Sequence, residues 1–478
     1  MDLLIGLDVG TSAVKGVLIS AEGAKLAVAR RATRLLHPEP GQVELDPEEH
    51  YRSVCDLIRE LAARVPRGAR VRALAMAAAS GNVLLAEGDG RPLTGIVSWL
   101  DSRSVGRTPE LLPGFDPSGF HEVTGWPYSE MFPLAQLAWL RRHRPAAWAR
   151  TGHVGMNTDW LLYRLAGKWG MDPSTATTFY LYDQVSGAWH KPHLELLGLA
   201  EEQLSALAAS GRALGPLTAE AARDTGLPPG TLVVLGCFDH PGAARGTGVL
   251  DPGDLLLSCG TSWVGLYPVE ERAPAVRQKL LVDPFLSPRG PWAGMIALTA
   301  IGVTIEKYID RFLLLPGEEP GRKYEIFNAA AARTPAGAGG LSLDLYRDPT
   351  DFLAEVRDPL AGHPREHLAR ALMEGAAFVM RRKIEELAAA GIRARRLVMV
   401  GGPSESPVWP RIVAEVCGLA LTLLNGQTAG AMGAAVLAAV GAGLYRGERE
   451  AFAAMGGEGT TITPEPAAVR EYEEIYST

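Results

Sequence analysis

Two segments of this chain carry one pattern, an apolar run that stops at Gly-Thr-Ser. The first is Leu3-Leu4-Ile5-Gly6-Leu7-Asp8-Val9-Gly10-Thr11-Ser12, resumed by Ala13-Val14-Lys15-Gly16-Val17-Leu18-Ile19; the second is Leu255-Leu256-Leu257-Ser258-Cys259-Gly260-Thr261-Ser262. A glycine lets the backbone turn sharply, and the two hydroxyls join its N–H groups as donors to an anion. Each segment reads as a hairpin whose tip is a phosphate cradle, and the two begin the two halves of the chain. A single strand-Gly-Thr-Ser turn is common in proteins that bind nothing there. A second copy marks an internal duplication and leaves few folds open: a duplicated α/β unit, with two lobes facing each other across a nucleotide.

Between the copies, Thr231-Leu232-Val233-Val234-Leu235 ends at Gly236, followed by Cys237-Phe238-Asp239-His240-Pro241-Gly242. This is the pattern of a buried strand that delivers one carboxylate to a cleft. The competing reading is a strand-end Asp that caps the turn at Pro241-Gly242. Asp8 and Asp239 are then the carboxylates left to handle metal and proton. A later strand, Arg396-Leu397-Val398-Met399-Val400, stops at Gly401-Gly402-Pro403-Ser404-Glu405-Ser406 before a helix from Pro410. Bare backbone at a strand C-terminus suits a flat or anionic ligand. Neither G-x-x-x-x-G-K-[ST] nor a G-x-G-x-x-G loop after the first strand occurs, so the P-loop and dinucleotide routes are absent.

The 478 residues allow two to four units at roughly 150 residues each, and the turn Leu250-Asp251-Pro252-Gly253 places the boundary, giving lobes 1–248 and 249–478. The 47 basic and 54 acidic residues are mixed along the chain, net −7. No basic stripe for nucleic acid or anionic lipid results. Cys55, Cys237, Cys259 and Cys417 lack metal or disulfide spacing and fit a reducing, cytoplasmic setting, with Cys237 and Cys259 as small buried hydrophobes. Asp8 interrupts the N-terminal apolar run, which argues against a signal peptide. The weakly polar stretch from Gly430 to Leu444 is shorter than the roughly 20 residues a membrane span needs.

Locally, Asp46-Pro47-Glu48-Glu49 announces a helix start. Leu84-Leu85 and Ile96-Val97 read as a hairpin that leads into Trp99-Leu100-Asp101-Ser102-Arg103. That cluster is either a surface turn with its own ion pair or part of a site. Trp126, Trp139, Trp148, Trp160 and Trp169 read as core. Helices are expected from Gly302-Val303-Thr304-Ile305-Glu306-Lys307-Tyr308 and from Arg365 to Leu387.

With both hairpins, the Asp239 strand and the diglycine in place, the sequence resembles the FGGY family of carbohydrate kinases, within the actin, hexokinase and Hsp70-like ATPase superfamily, over essentially its whole length. Met131-Phe132-Pro133-Leu134-Ala135-Gln136-Leu137-Ala138-Trp139-Leu140-Arg141-Arg142-His143 follows the first family signature, with Gln136 where a lysine is usual. His367-Leu368-Ala369-Arg370-Ala371-Leu372-Met373-Glu374 fits the end of the second, whose glycine-rich beginning is not clear here. The resemblance implies an α/β fold of two ribonuclease H-like (actin-like ATPase) lobes with a catalytic cleft between them, and ATP and Mg²⁺ as cofactors.

Residue by residue, it implies that Asp8 and Asp239 attend the metal and that Asp239 is the catalytic base. Gly10, Thr11, Ser12 and Lys15 form the first phosphate hairpin and Gly260, Thr261 and Ser262 the second. Gly302 and Glu306 contact the nucleotide, and Gly401, Gly402 and Ser406 line the adenosine pocket. Ser80, Gly81, Asn82, Trp99, Asp101, Arg103, Asp239 and His240 lie at the sugar end.

Two departures bear on the substrate. Ser80-Gly81 stands where xylulose kinases carry Met-His and glycerol kinases Arg-Glu, and His240 replaces the usual Asn or Gln after the base. Small residues there predict a roomier pocket, with fewer side-chain hydrogen bonds on one edge of the sugar, and a substrate other than D-xylulose or glycerol. The expected reaction is transfer of the ATP γ-phosphoryl to a hydroxyl of a small sugar, most simply a ketose or polyol. The partner is that small molecule, with no nucleic acid or membrane, and a homodimer is compatible with the family. The rivals are an actin- or Hsp70-like ATP-driven binding or assembly protein and a catalytically silent sugar sensor.

Overall fold

Leu3–Leu7 and Leu255–Leu257 lack the alternation of half-exposed strands because both are central strands, covered on both faces. In this computed structural model the described residues are 1–477 except 261–262, 299–300, 316, 346–355, 357 and 361; Thr261 and Ser262 of the second hairpin therefore lie outside them. The strands of the two main sheets are, in chain order, β1 (Asp2–Val9), β2 (Ala13–Ser20), β3 (Lys25–Ala32), β4 (Arg70–Ala78), β5 (Ala213–Pro216), β6 (Leu232–Phe238), β7 (Asp254–Cys259), β8 (Trp263–Val269), β9 (Leu281–Asp283), β10 (Trp292–Leu298), β11 (Arg396–Gly401), β12 (Leu421–Leu423) and β13 (Thr460–Ile462). The helices that bear on the site are α1 (Pro47–Ala62), α2 (Pro133–His143), α3 (Pro173–Thr178), α4 (Asp239–Thr247), α5 (Ile301–Tyr308), α6 (Lys323–Arg333), α7 (Arg365–Ala389), α8 (Trp409–Cys417) and α9 (Ala429–Gly441).

The chain forms two compact units: Met1–Leu250 with Glu270–Ala293 and Thr428–Gly457, and Asp251–Val269 with Gly294–Gln427 and Glu458–Thr478. The chain first leaves the first unit beside the expected boundary at 248/249. Two later segments return to it, so the units are not the contiguous halves read from the turn. Within the first unit the sheet order is β5-β6-β4-β1-β2-β3; within the second it is β10-β8-β7-β11-β12-β13. In each, a strand pairs antiparallel with its hairpin partner (β1 with β2, β7 with β8) and parallel with the next strand along (β1 with β4, β7 with β11). The duplicated sequence pattern is thus a duplicated topology.

Along β1 the side chains divide by parity. Leu3, Ile5 and Leu7 pack with Val54, Leu57, Ile58 and Leu61 of α1, whose start is capped by Asp46 Oδ1 accepting the Glu49 N–H at 2.7 Å, a bond worth roughly 1 kcal/mol. Leu4 faces the other way, into a cluster with Ala431, Ala434, Ala435 and Ala438 of α9. The weakly polar stretch from Gly430 is this helix, buried against the sheet.

Here α9 approaches backbone to backbone. A Cβ at Gly6 would lie 1.8 Å from the Ala431 carbonyl oxygen, one at Gly433 1.8 Å from that of Gly242, and one at Gly246 2.0 Å from that of Ala429. α4 and α9 therefore cross at a distance only glycine permits.

The expected hairpin over Leu84–Val97 is reduced to isolated bridges, Val83↔Val97 and Ala86↔Pro92. Leu84–Ala86 pairs instead with His153–Gly155, and Ile96–Val97 with Glu44–Leu45. Pro92 has no N–H to extend a ladder, and more distant strands satisfy these backbones. Trp126, Trp139 and Trp160 are core residues as read, whereas Trp148 and Trp169 are only half-buried, Trp169 against the edge of the core, and all four cysteines are free. Among the described residues no helix is long and apolar enough to cross a membrane.

Candidate active site

The tip between β1 and β2 is closed by the Gly10 N–H donating to the Ala13 carbonyl at 3.0 Å. Thr33, beyond β3, braces it from outside: its N–H donates to the Ser12 carbonyl at 3.1 Å and its hydroxyl to that of Gly10 at 3.1 Å. Trp99 Nε1 donates to Thr11 Oγ1 at 2.9 Å, fixing that hydroxyl, while Ser12 is exposed. Asp8 and Lys15 are directly opposite each other across the hairpin, so both project on one face, toward the start of α9. A Cβ at Gly430 would come within 2.9 Å of the Asp8 carboxyl carbon. The Asp8 carboxyl is pushed up to about 7, mainly by burial, with Lys15 opposing and the charge of Asp239 adding to the rise.

Asp239 is the first residue of α4, not the last of a strand. β6 is bulged between Val234 and Cys237, where a Cβ at Gly236 would stand 1.7 Å from the Met76 carbonyl oxygen, and the bulge re-aims the strand end that leads into Asp239. Asp239 Oδ1 accepts the His240 N–H at 2.7 Å, and the His240 ring lies 3.8 Å away. Burial raises the Asp239 carboxyl above the usual carboxylate range, against the pull of His240. With 27% of its side chain exposed, solvent tempers that rise.

The segment expected at the sugar end divides into lining and scaffold. Ser80 is buried and donates to the Ala78 carbonyl at 3.1 Å. Gly81 has φ +82°, and the Phe132 ring would stand 2.7 Å from any Cβ there, so an aromatic ring takes up the space directly beside it. Asn82 is scaffold: its Nδ2 donates to Ala79 O and Asn157 Oδ1, both at 3.1 Å, and its Oδ1 accepts the Trp99 N–H at 3.0 Å. Asp101 and Arg103 form a buried bidentate pair, at 2.8 Å through Nε and 2.8 Å through Nη2, and Arg103 also reaches Glu44 at 2.6 Å. The surface turn considered for them is in fact internal, and their polar atoms are committed to each other and to Val43 N and Glu44. Gln136, in the lysine's place, donates both amide hydrogens to carbonyls, Ser98 at 2.9 Å and Met131 at 2.7 Å.

Trp126, Phe132, Phe238 and His240 make a connected aromatic wall, with Trp126 edge-on to Phe132 and Phe238, and Phe238 edge-on to His240. Trp126 Nε1 is buried without a hydrogen-bond partner among the described residues.

In the second unit, Gly401 ends β11 at φ +93°, where a Cβ would stand 2.0 Å from the Cys259 carbonyl oxygen, while Gly402 faces open space. That is bare backbone beside the Gly260 turn. Ser406 is less available: its Oγ donates to Asn328 Oδ1 at 2.6 Å and accepts the N–H groups of Val408 and Trp409, capping α8. Gly302 and Glu306 lie on α5, and Glu306 is bonded by Lys323 and the Tyr324 hydroxyl at the start of α6. Sequence reasoning missed Thr33, Asn157, Asn328 and Gly430, each brought in from a distant segment with no local signal.

The family models for the FGGY family of carbohydrate kinases match residues 3–246 (N-terminal domain) and 255–442 (C-terminal domain). An autoinducer-2 kinase of Yersinia enterocolitica is 29% identical over 472 residues, 93% of this chain and 87% of that protein. One of Klebsiella pneumoniae is 28% identical over 498 residues, covering 100% of this chain and 93% of that protein. The crystal structure of xylulose kinase from Rhodospirillum rubrum superposes with a TM-score of 0.84 at 27% identity, over 99% of this chain and 97% of that one.

Proposed function

The chain belongs to the FGGY family of carbohydrate kinases and is a carbohydrate kinase that uses ATP and Mg²⁺, and from that premise we propose that it phosphorylates a hydroxyl of a small ketose or polyol, with Asp239 as general base. The observation that carries the reading is the placement of Asp239: a carboxylate raised by burial, at the first turn of α4, in the same unit as the braced Gly10–Ser12 tip and Asp8. The raised carboxyl is a stronger base than a free aspartate and is partly open to solvent, as a residue that accepts a substrate proton must be. The aromatic wall of Trp126, Phe132 and Phe238 offers apolar faces to a small carbon skeleton.

The residues fit the cofactors. Among the described residues no three His, Cys, Asp or Glu side chains converge as a metal cage. Mg²⁺ needs none, since it takes one or two carboxylates and completes its shell with water and phosphate oxygens. Asp8, at the end of β1 beside the start of α9, would hold it, and Lys15 adds a cation beside the phosphates. When bound, the metal supplies positive charge to the phosphoryl oxygens of a loose, highly charged transition state. The Gly10–Ser12 tip orients the phosphates through backbone and hydroxyl donors, and Gly401 and Gly402 give the nucleotide a surface without side chains.

The test is sugar-dependent ADP release over ketopentoses, ketohexoses, tetruloses, polyols, glycerol and, because relatives bear that name, autoinducer-2. One or more ketoses or polyols should stimulate release, with the best substrate neither D-xylulose nor glycerol by kcat/KM. Release independent of any of these compounds would overturn the reading.

A further inference from the structure

Phe238, the residue before the base, turns its N–H away from the hairpin side of the sheet. β5 pairs with β6 only from Leu232 to Val234, so it does not reach Phe238. The Phe238 N–H is accepted by Ser174 Oγ at 3.3 Å, and the same hydroxyl donates to Asp283 Oδ2 at 2.7 Å. Ser174, on α3, and Asp283, closing β9, are both fully buried and come from segments far apart in the chain. Asp172 caps α3, its Oδ1 accepting the Thr175 N–H at 3.0 Å, which fixes the turn that carries Ser174. Asp283 Oδ1 has no hydrogen-bond partner among the described residues, so its one buried bond is spent on Ser174.

Further along α4, Arg245 is fully buried and donates through Nε to Glu448 at 2.7 Å and through Nη1 to the Pro241 carbonyl at 3.3 Å. α4 is thus held along its length by Arg245 and by its packing on α9, and the Phe238 peptide that leads into Asp239 is held on its open side by the Ser174–Asp283 pair.

We propose that Ser174 and Asp283 are positioning residues for phosphoryl transfer: they fix the Phe238 peptide and with it the direction in which Asp239 presents its carboxylate. This rests on the reading of Asp239 as general base. Neither residue touches substrate, so losing the relay lowers turnover without weakening nucleotide binding, and a displacement of the base by about 1 Å is enough to cost up to roughly 10²-fold.

The experiment is a double-mutant cycle on full-length protein, with each variant's fold checked by circular dichroism and thermal melting. Asp239→Asn alone should lower kcat by about 10²–10⁴-fold. Ser174→Ala should lower kcat about tenfold or more, leave KM for ATP within about twofold, and add nothing in the Asp239→Asn background, where there is no base left to aim. Because Ser174→Ala leaves two buried groups unpaired and some preparations would then fail to fold, a second pair is compared. Asp283→Leu removes the acceptor and should lose the same turnover, and Asp283→Asn, which keeps an acceptor for Ser174, should recover most of it.

Turnover of folded Ser174→Ala and Asp283→Leu within about threefold of wild type overturns the relay and leaves the base reading standing. So does a Ser174→Ala loss that multiplies in full on top of Asp239→Asn. Near-normal turnover in Asp239→Asn alone instead overturns the base reading, and the relay with it.

Discussion

Lys15 faces Asp8 across the hairpin, and the proposed reading puts its ammonium beside the phosphates rather than the sugar. Lys15→Ala should raise KM for ATP by roughly tenfold, the worth of one charge-assisted hydrogen bond, and leave KM for sugar nearly unchanged; steady-state kinetics with each substrate varied in turn check this. Asp239 must be ionised to accept a proton, and burial raises its carboxyl. The acid limb of kcat/KM should therefore lie above the ordinary aspartate value near 4, and flatten in Asp239→Asn. Asp283 titrates in the same direction with a different consequence. Its carboxyl is raised to about 7 by burial, against the pull of Ser174 and Arg245, whereas the unfolded chain gives up that proton near about 4. Between those values the unfolded state binds fewer protons, so the contribution is fully present below the lower value and is lost as pH rises toward 7. Asp283→Asn should thus melt a few degrees higher than wild type at pH 8 and close to it at pH 4, as read by calorimetry.

The crossing of α4 and α9 shows what an element owes to its neighbours. Gly433→Ala or Gly246→Ala drives a methyl into a backbone carbonyl, which cannot swing aside. Each should destabilise by roughly 1–3 kcal/mol or more, whereas Gly230→Ala, with nothing within 4 Å, should be neutral; denaturant melts of the three decide it. The same crossing explains the limit of the sequence. β1, β2, β6, β7 and β11 were legible as apolar runs, α1 from its Asp46 cap, and the first hairpin tip and the diglycine from glycine placement. α4 was not, because Asp239-His240-Pro241-Gly242-Ala243-Ala244-Arg245-Gly246-Thr247 has a proline and two glycines, poor helix formers whose cost is outweighed by close packing on α9. Asp101 and Arg103 gave an ion pair in the sequence but no hint that both are buried. Glu306 carried no sign of Lys323 and Tyr324, and Gly81 none of the Phe132 ring, since each partner is set by tertiary packing.

The first unit is assembled from three stretches of chain, and the last of them supplies α9. A fragment of residues 1–250 contains every strand of its sheet but lacks the helix that covers Leu4, Val17, Ala73, Ala75 and Val234. Expressed alone it should aggregate or bind hydrophobic dye, and show no cooperative melt; a soluble fragment with a sharp transition would contradict this. The arrangement also sets a clock on synthesis. When Leu250 leaves the ribosome, translation must still run to Gly441 before that sheet face can be covered, roughly 10–40 s at ~5–20 residues per second. Throughout that interval the nascent chain carries the apolar residues of that face without the helix that buries them, a window in which it is open to aggregation or to chaperone binding.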